Sequence, residues 1–280
     1  MSRNILRAAR VASLVVAVIG VATLGAFAEQ AAQPGSLQDS WPGLADSVFK
    51  GRPLADGAGL IAIEMPGRAE DAAIVPLTVR ATLPPGDLRR VKAFTIVIDE
   101  NPAPVAATFS IGPNAVVSSI STRVRVNSYT DVHAVAELTD GKLYVVKTYV
   151  KASGGCSAPA GKDADKAGVG QMRLRQFAKS ADAAAGNLRE AQIMIRHPNN
   201  SGLQMDQVTR LYIPAYFVHS VKIWQGEELL LAVEGSISIS EDPNIRFTYL
   251  PNNAKSFAVE ATDTESHVFK GSWPADASQM

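Results

Sequence analysis

Val116-Val117-Ser118-Ser119-Ile120-Ser121-Thr122-Arg123-Val124-Arg125-Val126 alternates in polarity along its length. Val116, Ile120, Val124 and Val126 fall on one face of an extended chain, and Ser119, Ser121, Arg123 and Arg125 fall on the other. Successive side chains of a strand point to opposite faces, so this period of two predicts a half-buried β-strand whose Arg123 and Arg125 share a face, read as solvated, with attraction of an anion or an acidic partner as the alternative. The texture continues on both sides. Leu60 to Met65, Val75 to Ala81, Val91 to Asp99, Ala106 to Ile111, Val132 to Leu138 and Leu143 to Val150 are short runs rich in Val, Ile and Thr. Turn formers separate them: Pro66-Gly67, Pro84-Pro85-Gly86, Asn101-Pro102-Ala103-Pro104, Gly112-Pro113-Asn114 and Asp140-Gly141. Asp140-Gly141 tolerates positive φ at both positions and predicts a two-residue type I′ hairpin. Seven short antiparallel strands at this spacing predict an immunoglobulin-like sandwich.

A second block repeats the pattern. Met172-Arg173-Leu174-Arg175, Ala191 to Arg196, Val218 to Trp224, Glu228 to Val233, Asn244 to Leu250, Lys255 to Ala261 and Ser266 to Gly271 read as strands, with Gln225-Gly226 and Asn252-Asn253 as hairpin turns. Between the blocks, Lys151 to Val169 holds only one large aliphatic side chain, Val169, among mostly Ala, Gly, Ser and Pro. Such a segment buries too little apolar surface to offset its ordering entropy. The expected fold class is therefore all-β: two immunoglobulin-like β-sandwich domains, 29–150 and 170–280, joined by a flexible Gly/Ala-rich linker, 151–169. The only helical signal is weak, a short helix at most within Asp39 to Phe49.

The N-terminus reads as a targeting segment. Arg3, Arg7 and Arg10 precede an apolar run from Val11 to Gly25, and Ala26-Phe27-Ala28 forms an A-x-A cleavage signature before Glu29. Residues 1–28 are expected to be a signal peptide, which makes the mature protein periplasmic, starting at Glu29, with no membrane attachment after cleavage. The whole chain balances 27 Lys+Arg against 27 Asp+Glu, and removing the three arginines leaves a small negative charge. A nucleic-acid partner is excluded on this balance, since polyanion binding needs a basic stripe.

Enzyme templates are missing. The sequence contains no G-x-S-x-G, H-E-x-x-H, phosphate-binding P-loop or dinucleotide fingerprint, so neither a catalytic residue nor a cofactor is expected. Of the four histidines, His133 reads as a partly exposed strand residue and His197 as a loop former before Pro198-Asn199-Asn200-Ser201-Gly202. Ser240-Glu241-Asp242-Pro243-Asn244 reads as a turn rather than a calcium loop. The single cysteine, Cys156, can form no intramolecular disulfide. It stands in Ser153-Gly154-Gly155-Cys156-Ser157-Ala158-Pro159, inside the linker. It is either a buried, inert small apolar residue or a reactive thiol; within this segment the choice is between a reactive arm and an inert linker cysteine. Exposed, it should titrate near the ~8.5 of a free cysteine, and air oxidation should give a disulfide-linked dimer.

This Gly154-Gly155-Cys156 arm after an immunoglobulin-like domain resembles SoxY, the carrier subunit of bacterial sulfur oxidation. Asn101-Pro102-Ala103-Pro104 with Ala107-Thr108-Phe109, and Val132-His133-Ala134-Val135-Ala136-Glu137, are similar to SoxY segments. The second block resembles SoxZ through Met172-Arg173-Leu174, Ile195-Arg196-His197-Pro198 with Gly202, Ile213-Pro214 and Trp224-Gln225-Gly226-Glu227. Fusions of this kind resemble the SoxYZ-like carriers encoded beside quinoprotein alcohol dehydrogenases. The resemblance implies a non-enzymatic periplasmic carrier. Cys156 would be the covalent attachment point for a thiosulfonate or persulfide, with Gly154, Gly155 and Ser157 forming the arm. Implied partners are periplasmic redox or sulfur-oxidising enzymes, among them a quinoprotein dehydrogenase and a c-type cytochrome. A non-covalent scaffold for a periplasmic dehydrogenase is the alternative. In SoxY the cysteine lies almost at the chain end, within Gly-Gly-Cys-Gly-Gly. Here Ser157-Ala158-Pro159 and a whole domain follow it, so the arm would enter a partner cleft as a loop.

Overall fold

The computed structural model describes residues 39–159, 168–177 and 187–275. The signal-peptide reading and the middle of the linker, 160–167, lie outside the described residues. One helix, α1 (Trp41–Phe49), is followed by β1 (Leu54–Asp56), β2 (Ile61–Glu64), β3 (Val75–Ala81), β4 (Val91–Ile98), β5 (Val105–Ile111), β6 (Val117–Val124), β7 (Thr130–Leu138) and β8 (Leu143–Val150). After the linker come β9 (Met172–Phe177), β10 (Arg189–Ile195), β11 (Val218–Gln225), β12 (Glu228–Gly235), β13 (Asn244–Tyr249), β14 (Ser256–Asp263) and β15 (Val268–Pro274). The all-β class read from the sequence is what the chain adopts.

The strands form two sheets that run through both halves of the chain. The larger has the order β1-β8-β7-β4-β5-β12-β11-β14-β15, and the smaller β2-β3-β6-β13-β10-β9. The halves join strand to strand twice. In the larger sheet β5 pairs antiparallel with β12, from Ile111 opposite Leu231 to Ala107 opposite Gly235. In the smaller, β6 pairs with β13, with Ile120 opposite Phe247. One buried cluster fills the space between the sheets, and it draws on Leu77, Phe94, Phe109 and Ile120 from the first half and on Ile193, Ile223, Phe247 and Phe257 from the second. Side chains stitch the seam as well: the Asn101 amide donates to Ser238 Oγ at 2.9 Å, and the Ser240 hydroxyl donates to the Ala73 carbonyl at 2.7 Å.

Helix α1 covers the outer face of the larger sheet, where Phe49 packs with Val97, Val135 and Leu143. This cover explains the fate of His133, which is buried rather than partly exposed. Its ring stacks on Trp41 with centroids 3.6 Å apart, and its Nδ1 lies 3.0 Å from Asp99. Two turns differ from expectation. At Asp140-Gly141 only Gly141 takes a positive φ (77°), and the Gly141 N–H donates to Leu138 O, so the connection is a type I turn closed by a left-handed glycine. Asn252-Asn253 links β13 to β14 in different sheets, so it is a crossover between layers. Ser240 to Asn244 is a structured turn, with the Asp242 carboxylate accepting from the His197 N–H.

Candidate functional site

The site lies where the arm after β8 meets loops from both halves. Beyond β6 the chain continues through Arg125, Val126 and Asn127 beside Ala72, to which the Val126 N–H donates at 2.9 Å. The arm lays its backbone along this strip. Gly154 N–H donates to Asn127 O at 2.9 Å, and Gly155 N–H donates to Val126 O at 3.0 Å. From the second half, Ser201 Oγ donates to the Cys156 carbonyl, and Gln204 Nε2 donates to the Ala158 carbonyl at 3.0 Å. Gln204 Oε1 in turn accepts the Ser201 N–H, so the loop that holds the arm is itself braced. Arg125 spans the junction: Nη1 donates to Gly155 O at 3.3 Å and Nη2 to Asn199 O at 3.1 Å.

Cys156 is thereby fully buried, at 0% exposure, with Gly155 buried beside it and Ser157 exposed. The expected mobile arm with an exposed thiol is corrected here for residues 151–159. The segment is poor in apolar side chains, as its composition shows, but it docks through backbone hydrogen bonds and close approach. A Cβ built on Gly155 would lie 2.0 Å from Ala72 O and 2.7 Å from Val126 O, so the glycine serves contact rather than freedom. The same burial stands against the expected disulfide-linked dimer, which needs the sulfur at the surface. The solvated reading is corrected for Arg125, which is 1% exposed and the largest fully buried side chain among the described residues, while Arg123 is half-buried. Asn199, Ser201 and Gln204 carry no mark of a site in the sequence, and Arg125 reads there only as one of two arginines on a face that could attract an anion. The one available signal was Arg125 itself, a cation between two valines on a strip otherwise reading as core.

Behind the arm a second polar cluster is buried. His197 Nδ1 accepts the Asn199 N–H at 3.1 Å, and its Nε2 lies 3.6 Å from Asp263. Burial holds the imidazole below its ordinary range. Asp263 also accepts the His267 and Glu265 N–H groups. The cluster fixes the 197–201 loop that presents the Asn199 carbonyl to Arg125 and the Ser201 hydroxyl to the arm.

Burial pushes the Cys156 thiol up, and the Arg125 guanidinium draws it back only in part. The folded pKa thus lies above that of the free chain, so as pH rises the undocked arm loses its proton first. Docking is at full strength below the ordinary thiol value of about 8.5 and weakens above it. An exposed thiol labels at a rate that levels off near its own pKa. For docked Cys156 we expect labelling by a neutral reagent to keep rising about tenfold per pH unit beyond pH ~8.5, because each unit also opens the arm. Rates measured from pH ~7 to ~10 decide this, and a plateau near 8.5 would contradict docking.

The geometry defines a two-half β-sandwich that holds a single cysteine on a docked arm at the junction of its halves. Family models agree in position with both halves: "Sulfur oxidation protein SoxY" matches residues 45–156 and "Sulphur oxidation protein SoxZ" matches residues 177–274. The chain belongs to both families and is a fused SoxYZ-like protein. Among solved structures it is similar to the sulfur carrier protein SoxY from Chlorobium limicola f thiosulfatophilum, at 25% identity and TM-score 0.34, covering 40% of this chain and 91% of that one. A superoxide reductase (neelaredoxin) from Ignicoccus hospitalis is similar at 11% identity and TM-score 0.29, covering 32% of this chain and 78% of that one. No curated protein matches the chain.

Proposed function

We propose that this protein is a periplasmic, non-enzymatic carrier that holds a sulfur intermediate covalently on Cys156 for enzymes of sulfur oxidation. The observation that carries the reading is the SoxY match itself, whose last residue is Cys156. The SoxZ half is the shelter: Ser201 and Gln204 hold the arm closed between deliveries. A carrier of this kind works from a minor open state. The docked arm protects the sulfur, and a partner that binds the open arm more tightly shifts the population toward it. Residues on the far side of Cys156 remain tethered, so a partner cleft must accept a loop. A quinoprotein dehydrogenase system with its c-type cytochrome belongs to this proposal as the alternative setting to thiosulfate oxidation.

One measurement tests cargo and export together. Protein purified without reductant from the native periplasm should show an intact mass of a chain beginning at Glu29 plus an increment of sulfur or sulfur–oxygen composition. The increment should vanish on reduction and be absent from Cys156→Ser, and the variant should lose sulfur-dependent turnover completely while remaining folded. A bare mass together with unimpaired turnover in Cys156→Ser would establish the scaffold reading instead.

A further inference from the structure

The Arg125 guanidinium is buried and only partly satisfied. It is 1% exposed, and its Nε is buried without a hydrogen-bond partner. Its other nitrogens donate only to backbone carbonyls, Gly155 O and Asn199 O. Among the described residues the ion pairs at contact distance do not include Arg125; the Glu241 carboxylate, the Cys156 thiol and the Asp71 carboxylate act on it electrostatically, Glu241 most strongly. A buried cation without a counter-ion is costly, and buried charges in proteins are normally paired. Here the pairing is incomplete on the side of the molecule where the arm docks. Nη1 holds the carbonyl of the residue immediately before Cys156, and guanidinium and thiol fall within each other's field.

We propose that Arg125 is the counter-charge for an anionic group brought to, or borne by, Cys156, so that the docked site selects sulfur oxyanions over neutral sulfur compounds. The inference rests on the carrier reading for its cargo but on Arg125 for its chemistry. A guanidinium offers a planar fork of donors that matches the oxygens of a sulfonate, and exchanging two carbonyl contacts for a charged partner strengthens its hydrogen bonds. The resting thiol, its pKa held up by burial, adds little negative charge beside a guanidinium that, among the described residues, makes no ion pair at contact distance. An arm carrying a sulfonate-ended group supplies the missing charge, so loading and re-docking favour one another.

Two reagents of opposite character separate charge from access. With tetrathionate, the Cys156 thiolate attacks an inner sulfur, the central S–S bond breaks, thiosulfate leaves with the electron pair, and Cys156 keeps an –S–S–SO3⁻ group. With methyl methanethiosulfonate, the same thiolate displaces methanesulfinate and keeps a neutral –S–S–CH3 group. In both cases the thiol proton goes to solvent. Both reagents need the same opening of the arm, which also frees the Arg125 fork from the Gly155 carbonyl to meet an incoming anion, so the ratio of their rate constants cancels any change in opening and reports the charge at the site. We expect that ratio to fall at least ~10-fold in Arg125→Met and to stay within ~3-fold of wild type in Arg125→Lys, which keeps the charge. Wild-type protein bearing the anionic group should also melt at a higher temperature than protein bearing the neutral one, a comparison that needs no variant. An unchanged ratio in Arg125→Met, or a neutral adduct that melts as high as the anionic one, overturns the proposal. Should the charge preference hold while native protein carries no adduct and Cys156→Ser is unimpaired, the carrier reading fails and the Arg125 site stands.

Discussion

Replacing Gly155 with alanine should make Cys156 react with a thiol reagent on the order of 100-fold faster than wild type, with the β-sandwich still intact. The added methyl would sit 2.0 Å from Ala72 O and 2.7 Å from Val126 O. Neither oxygen can step aside easily, because Ala72 O already accepts the Val126 N–H and Val126 O accepts the Gly155 N–H. The arm must give way instead. Undocking releases the hydrogen bonds from Gly154, Gly155, Ser201, Gln204 and Arg125. At roughly 1 kcal/mol net for each, losing two or three shifts the opening equilibrium by about 30- to 200-fold. Gly154→Ala is the informative control. Gly154 has a positive φ of 78° but no close neighbour for a Cβ, so the cost there is backbone strain of about 1 kcal/mol and the acceleration should be several-fold only. The readout is the labelling rate of native protein, with circular dichroism to show that the strands persist. A Gly155→Ala thiol as protected as that of wild type would mean that the arm is not held by this close approach.

The contrast between these two glycines shows where the sequence was legible and where it was not. Composition correctly described 151–159 as poor in apolar side chains, yet docking depends on carbonyl positions and on a gap that only a bare Cα fits, and neither leaves a mark in a residue count. Strands were legible because their signal is local: Val75 to Ala81 and Leu143 to Val150 form strands over the same residues that the alternation marks. Strand β1, only Leu54-Ala55-Asp56, is too short to show a period, and it exists through parallel pairing with β8. His133 was misplaced because alternation implies one wet face, whereas α1 buries the outer face of β7 as well. For the site, Cys156 with its glycines could be found from one segment alone. Its keepers could not, because Arg125, Asn199, Ser201 and Gln204 come from two distant loops and meet only once both sheets have closed across the seam.

That seam makes a second large effect accessible. Phe109→Ala should destabilise the whole molecule, in one transition, by about 3–5 kcal/mol. Phe109 is fully buried on β5, opposite Phe94 on β4 and opposite Val233 on β12. Its ring therefore belongs to the cores of both halves at once, and truncation leaves a cavity that neighbours fixed in two hydrogen-bonded ladders fill poorly. For a domain of this size, such a loss lowers the melting temperature by roughly 10 °C. If the halves were independent sandwiches on a flexible joint, calorimetry would show two transitions, and the variant would move only the first. The continuous sheets and the shared cluster argue for one transition in wild type and one, shifted, in the variant. The coupling also bears on the arm. Ser201 and Gln204 reach Cys156 and Ala158 only while the β5–β12 and β6–β13 pairings hold the halves in register. Phe109→Ala should therefore expose the thiol through global unfolding, with labelling that follows the melting curve. Gly155→Ala should expose it well below that temperature. Coincident labelling and melting in both variants would show that the arm has no opening of its own.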